Sequence, residues 1–320
     1  LRQGARYRSA PADAQQAIDI LLGQARQESI STDCSSRLVA LLETICRRPA
    51  YIALLAQYPV AFKRVLTLLE ASQWAASYLA QHPLLLDELI DGNLFAPTDL
   101  AAWQDQLAIE LAAFFEPASQ DTKASADVER QMDTAREWHH AQLFRILARE
   151  LTGQVSIQAV ADELSELADR TLKVALDSVW QVLPARFRDD PQFAVIAYGR
   201  LGGKEIGYAS DLDLVFLYDD SESEAAYAYS QLARRLNTFL SAQTSAGHLF
   251  EIDLRLRPNG EAGLLVTSLD GFEEYQRQSA WVWEHQALTR ARYCAGVATL
   301  GEKFEQLRRQ LISQPRDPAK

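Results

Sequence analysis

Residues 193–219 read FAVIAYGRLGGKEIGYASDLDLVFLYD. The apolar run Phe193–Ala197 predicts a buried strand. Glycines at 199, 202, 203 and 207 break it, and Ser210-Asp211-Leu212-Asp213-Leu214-Val215-Phe216 follows. Alternate residues of a strand share a face, so Asp211 and Asp213 point one way while Leu212 and Leu214 enter the core. Two neighbouring carboxylates repel each other, and folding alone gives no reason for the pair. A divalent cation does, because hard cations such as Mg²⁺ take oxygen ligands, typically carboxylates with substrate phosphates. The glycine turn ahead of the pair predicts a backbone concavity whose N–H groups face phosphate oxygens. A phosphate cradle beside paired carboxylates points to metal-assisted phosphoryl or nucleotidyl transfer. A hairpin with an acidic edge is the alternative.

A third carboxylate lies in residues 248–258, HLFEIDLRLRP. From Phe250 the run alternates strictly, which predicts a strand through Arg257. Phe250, Ile252, Leu254 and Leu256 share its apolar face, and Glu251, Asp253, Arg255 and Arg257 share the other. The second face mixes acid suited to a metal with base suited to phosphate. A solvated face of charges is the common origin of such alternation. The helix expected over 225–242 would cross over and bring this strand beside the Asp211–Asp213 strand.

Residues 199–219 resemble the signature of the nucleotidyltransferase fold shared by DNA polymerase β and the antibiotic nucleotidyltransferases. They resemble still more the glutamine synthetase adenylyltransferase family, bacterial bifunctional enzymes that attach AMP to glutamine synthetase and remove it. EIDLRLRPNGEAGLLVTS (251–268) and AWVWEHQALTRAR (280–292) resemble that family's following segments. AYIALLAQYPVAFKRVLTLLEAS (50–72) and LAQHPLLLDELID (79–91) resemble its preceding ones. The resemblance runs from residue 35 to about 300, and Gly207–Ser210 resemble the C-terminal, adenylylating half.

For this chain the resemblance implies two divalent ions, Mg²⁺ or Mn²⁺, held by Asp211, Asp213 and Asp253 as the catalytic set. ATP would be the substrate and a tyrosine of glutamine synthetase the acceptor, with Asp253 positioning its hydroxyl. Gly199, Arg200, Gly202, Gly203, Ser210, Arg255 and Arg257 are the expected nucleotide contacts. The wider fold's motif has serine after the first glycine, where this chain has Arg200. Ser210 either touches phosphate or caps the turn. The resemblance further implies control by glutamine and by the PII signalling protein. Phosphorolytic removal of AMP is the alternative within the same fold. A partner-binding helical module with a silent nucleotidyltransferase unit is the alternative from another class.

The composition disfavours a nucleic-acid substrate and does not exclude a nucleotide, whose charge metals and a few local arginines can neutralise. The 320 residues carry 32 Lys and Arg against 43 Asp and Glu, a net charge of −11. Polyanion binders usually carry a basic surplus. No apolar run approaches the roughly 20 residues needed to span a bilayer. Cys34, Cys46 and Cys294 are too few and too scattered for a metal or disulfide framework, which favours a reducing cytoplasm. The first residue is Leu rather than Met, which predicts a piece of a longer chain.

Along the chain, residues 1–10 and 313–320 read as frayed ends. Residues 11–183 read as almost wholly helical, rich in good helix formers. Asp33 is the expected N-cap of a helix to Arg47, and Pro49, Pro59 and Pro83 each open another. Asp91-Gly92-Asn93 would end a helix, and 116–121 would be a second break. Long helices are expected from Ser125 to Leu151 and from Ile157 to Leu183. His139 and His140 are adjacent, cannot chelate one ion as an i, i+4 pair does, and read as surface or packing residues. Leu264–Val266 reads as a short strand, with Thr267 or Ser268 capping the next helix. Trp281–Arg290 reads either as a helix packed under the sheet with its tryptophans buried, or as a run that places Glu284 or Arg290 near the nucleotide. The expected fold class is α+β. A helical region spans 1–185, and a polymerase β-like nucleotidyltransferase domain with a small mixed sheet spans 186–320.

Overall fold

The computed structural model describes residues 4–116 and 125–314. It divides into two compact units. The first takes in residues 1–97 and 140–157, the second residues 98–139 and 158–320. The chain therefore does not divide at a single point near 185. The helices within residues 98–139 and 158–183 cluster with the sheet rather than with the helices before them, with Trp180 stacked on Tyr229 and Asp169 paired with Arg292.

The first unit holds α1 (Ala5–Arg8), α2 (Ala12–Gln27), α3 (Thr32–Ile45), α4 (Pro49–Gln57), α5 (Pro59–Ala71), α6 (Gln73–Gln81) and the 3-10 turn Pro83–Leu86. Pro49, Pro59 and Pro83 each sit in a first turn, where the missing N–H costs nothing. The cap of α3 is Ser31 rather than Asp33: Ser31 Oγ accepts from the Cys34 N–H at 3.0 Å. Asp33 is one residue inside the helix, where its charge suits the positive end. Asp91 and Asn93 lie in turns after Leu86 instead of ending a helix, with Asp91 Oδ1 accepting from the Asn93 N–H at 2.9 Å. The N-terminal fraying expected up to residue 10 gives way to α1. Most of the expected break at 116–121 and of the tail after 313 lies outside the described residues.

The second unit continues with α7 (Leu100–Ala112), the two-residue strands β1 (Phe115–Glu116) and β2 (Ser125–Ala126), α8 (Val128–Leu151) and α9 (Ile157–Gln181). Residues of α8 up to His139 belong to this unit. Then come β3 (Phe193–Ala197), α10 (Gly199–Gly202), β4 (Leu212–Tyr218), α11 (Ala225–Ser241), β5 (Ile252–Asp253) and β6 (Val266–Ser268). The chain closes with α12 (Leu269–Gln278), α13 (Val282–Leu288), β7 (Arg292–Gly296) and α14 (Ala298–Ser313).

The sheet is small and mixed, with strand order β5-β4-β3-β7 and β6 also paired to β4. β3 runs antiparallel to β4 and β7, while β5 and β6 run parallel to β4. Both faces of β3 are covered, which is why its sequence is continuously apolar. Ala194, Ile196 and Tyr198 pack with Phe272, Leu288, Phe304 and Leu307 from α12, α13 and α14. On the other face Phe193 meets Phe216 and Tyr229, and Tyr229 stacks on Trp180 of α9 at 5.7 Å. This is the expected α+β class. Among the described residues no single helix is long and apolar enough to cross a membrane.

Two strand expectations change. The strand expected through Arg257 is only Ile252–Asp253, because the chain turns at once to let Arg257 bond main-chain carbonyls. The strand expected at 264–266 is Val266–Ser268, and Ser268 Oγ caps α12 by accepting from the Gly271 N–H. His139 and His140 are both buried, as packing residues are.

Candidate active site

β4 and β5 form a parallel pair with Leu212 opposite Ile252 and Asp213 opposite Asp253. The ladder is extended by a 2.8 Å bond from the Leu212 N–H to the Glu251 carbonyl. Two carboxylates distant in sequence thus become neighbours across adjacent strands, and Asp211 sits exposed just ahead of β4. An open cleft of about 430 Å³ is lined by Asp211, Asn237, Glu251, Asp253, Arg255 and Glu261 among others.

The glycine turn is shaped against the same carboxylates. Gly199 has φ +52°, in the left-handed region, and a Cβ there would lie 2.1 Å from Asp213 Oδ2. Only glycine lets the Asp213 carboxylate rest against the turn. Gly202 is as crowded: a Cβ would lie 1.9 Å from the Arg290 carbonyl and 2.7 Å from that of Ala197. The Arg290 guanidinium lies over Gly203 and pairs with Glu205. From below, Arg292 binds Asp169 through two bonds, of 2.6 and 2.9 Å, and donates to the Leu201 carbonyl at 3.2 Å. The turn is therefore fixed by its neighbours and not by its own flexibility.

The electrostatics are those of crowded acids beside scattered arginines. Burial, then the charges of Asp211 and Asp253, hold the Asp213 carboxyl above its ordinary range, while Arg255 and Arg200 pull it back. Asp253 is held below its ordinary range, first by the Arg255 guanidinium, which bonds both of its oxygens. The Arg255 N–H adds a bond to Asp253 Oδ1 at 2.8 Å.

A divalent cation fits this donor set. Asp211 and Asp253 share the cleft, Asp213 lies in register beside Asp253, and their mutual repulsion is what an added positive charge relieves. Arg255 already supplies one positive charge at Asp253. Among the described residues, no three acidic, His or Cys side chains close around a point as a finished cage.

The remaining expected contacts divide. Arg200 is exposed on the turn, and its charge reaches Asp213. Ser210 caps the turn, its Oγ accepting from the Gly207 N–H at 2.9 Å. Arg257 lines the cleft, but its guanidinium donates to the Leu254 and Glu261 carbonyls and holds the 254–263 turn.

The Trp281–Arg290 run reverses the expectation for its tryptophans. Trp281 is 70% exposed and Trp283 54%, because the buried positions of α13 are Glu284 and Leu288. Glu284 Oε1 accepts from the Trp281 N–H at 3.1 Å and from the Tyr275 hydroxyl at 3.0 Å, so it locks the start of α13. Glu284→Ala should lower unfolding free energy by about 1 to 2 kcal/mol, the scale of a lost cap and an orphaned hydroxyl. Thermal unfolding beside ATP binding checks this: the midpoint falls and ATP affinity holds. Arg290, in contrast, does stand at the glycine turn. Sequence reasoning missed Asn237 and Glu261, which no local pattern marks and which only the tertiary fold brings to the cleft.

Residues 62–307 match the family model described as glutamate-ammonia ligase adenylyltransferase. The chain belongs to that family. A bifunctional glutamine synthetase adenylyltransferase/adenylyl-removing enzyme of Aromatoleum aromaticum is 56% identical over 285 residues, covering 89% of this chain and 29% of the relative. The protein of the same name from Chromobacterium violaceum is 46% identical over 100% of this chain and 35% of its own length. That of Burkholderia mallei is 49% identical over 99% and 34%. The chain thus spans about a third of these adenylyltransferase relatives.

Proposed function

We propose that this chain transfers AMP from ATP to a tyrosine of glutamine synthetase and releases pyrophosphate, as the adenylylating half of a longer enzyme. The observation that carries the reading is Asp213 in register with Asp253 on parallel strands, with Gly199 turned against the Asp213 carboxylate. The relatives' name supplies the acceptor and the group transferred.

Asp211, Asp213 and Asp253 would hold Mg²⁺ or Mn²⁺. When bound, two such ions stabilise the entering and leaving oxygens of an in-line displacement. The N–H groups of Gly202 and Gly203 are spent on the Tyr198 and Gly199 carbonyls, so the main-chain N–H groups of Gly199–Leu201 would face the triphosphate, with Arg200 and Arg290 adding positive charge at the turn. Arg255 neutralises Asp253 while no cation is bound. Asp253 orients the tyrosine hydroxyl, whose oxygen bonds to the α-phosphorus as the bond to pyrophosphate breaks. The phenolic proton passes to solvent. Control by glutamine and the PII protein, and a cytoplasmic location, belong to the same proposal and rest on the family likeness.

The relatives' name covers both directions, so the test separates them. Unmodified glutamine synthetase should gain label from α-labelled ATP with release of pyrophosphate. Adenylylated glutamine synthetase given phosphate should release no ADP. The reverse pair of results overturns the assignment in favour of phosphorolytic removal.

A further inference from the structure

The third carboxylate is poorly held by its own strand. β5 has two residues and turns immediately afterwards, so its ladder to β4 is short. Three side chains on one broad face of α8 grip the segment that delivers it. Asp133 Oδ2 accepts from the Ser245 hydroxyl at 2.8 Å and Oδ1 from the Ala246 N–H at 3.4 Å. Arg136 is 0% exposed. It donates to the carbonyls of Gly247 and Phe239 at 2.9 Å and of Ala242 at 2.6 Å. Its fourth bond, also 2.9 Å, is to Met132 in its own helix. The His139 ring meets Phe250 edge-on at 4.8 Å.

We propose that Asp133, Arg136 and His139 form a clamp that positions Asp253 through residues 239–250, making them positioning residues for the cation and acceptor site. The consequence for chemistry rests on the proposed function; the clamp itself does not. Two features distinguish it from ordinary core packing. All three grips fall within residues 239–250, which lead to Glu251 and Asp253, and none of these contacts falls on β3 or β4, while the His139 ring is itself held by Thr171 of α9 at 3.2 Å. A buried guanidinium that spends its donors on main-chain carbonyls of the last turn of α11 and of the connection after it fixes geometry, where an apolar side chain would only fill space. A planar fork is needed for that, and a lysine ammonium does not reproduce it. An error of about 1 Å at a reacting centre costs about a hundredfold in rate.

The test compares the chain with its Arg136→Lys and Ser245→Ala forms by hydrogen exchange, with AMP transfer measured in parallel. Ser245 is exposed, so its substitution keeps the fold even if Arg136→Lys does not. The expected result is exchange about fivefold faster over residues 248–256, with residues 193–198 and 212–218 unchanged, the signature of local rather than global opening. The kcat should fall by about ten- to a hundredfold while KM for ATP stays within about twofold, as for a displaced reacting group. Unchanged exchange at 248–256 in the folded variants, or faster exchange spread evenly over the sheet, overturns the clamp. An inactive parent chain would instead overturn the proposed function and leave the exchange result standing.

Discussion

Asp213→Asn should reduce AMP transfer by about a thousandfold while leaving the metal-free fold at least as stable. The rate follows from charge: a metal-stabilised transition state gains several kcal/mol, and about 4 kcal/mol is a thousandfold. The stability follows from the raised Asp213 carboxyl. Its folded-state pKa lies above the unfolded value, so its favourable contribution is present at low pH and is lost as pH rises through the folded pKa. At neutral pH the ionised side chain is therefore a burden, caused by burial and by Asp211 and Asp253. Asparagine removes the charge and keeps the shape. Thermal unfolding with chelator should show an unchanged or higher midpoint for the variant. Added Mg²⁺ with ATP should raise the midpoint of the parent chain and barely move the variant's. A variant that loses activity because it unfolds would contradict this account of Asp213.

Gly199→Ala should be almost as damaging to activity, by a route that leaves every carboxylate in place. The new Cβ would stand 2.1 Å from Asp213 Oδ2, so the carboxylate must swing away. The φ of +52° adds backbone strain of about 1 to 2 kcal/mol for an L residue. A misplaced reacting group costs about a hundredfold, so transfer should fall by that much or more. Gly207→Ala is the control, since the nearest atom to its Cβ would be Ser210 Oγ at 3.8 Å. Equal activity in the two alanine variants would show that Gly199 serves only the turn. The comparison requires steady-state transfer rates with both variants confirmed folded by circular dichroism.

The core of the site could be read from residue types because its constraints are local. Asp211 and Asp213 flank the first residue of β4, and the glycines precede them at short range. Asp253 could be placed beside them because a helix between two strands brings the second back parallel to the first, as α11 does. Helix starts at Pro49 and Pro59 were equally legible, since proline fixes its own φ.

What resisted reading depends on partners far away in sequence. The alternation through Arg257 gave no sign that this guanidinium would bond carbonyls and end the strand after Asp253. The expectation of Arg255 as a nucleotide contact gave no sign of its pairing with Asp253, two residues before it. Trp281 and Trp283 follow the average burial of their type in the sequence, but the cap made by Glu284 turns them outward. Arg136 reads as one more arginine on a helix, because its acceptors Phe239, Ala242 and Gly247 lie more than a hundred residues on.

The most direct measurement is Mn²⁺ binding by electron paramagnetic resonance, with and without ATP, for the parent chain and for Asp213→Asn and Asp253→Asn. The account predicts two ions per parent chain in the presence of ATP, with at least one lost from each variant. Binding that is identical in all three proteins, or absent from the parent chain with ATP present, would contradict a cation site built by these carboxylates.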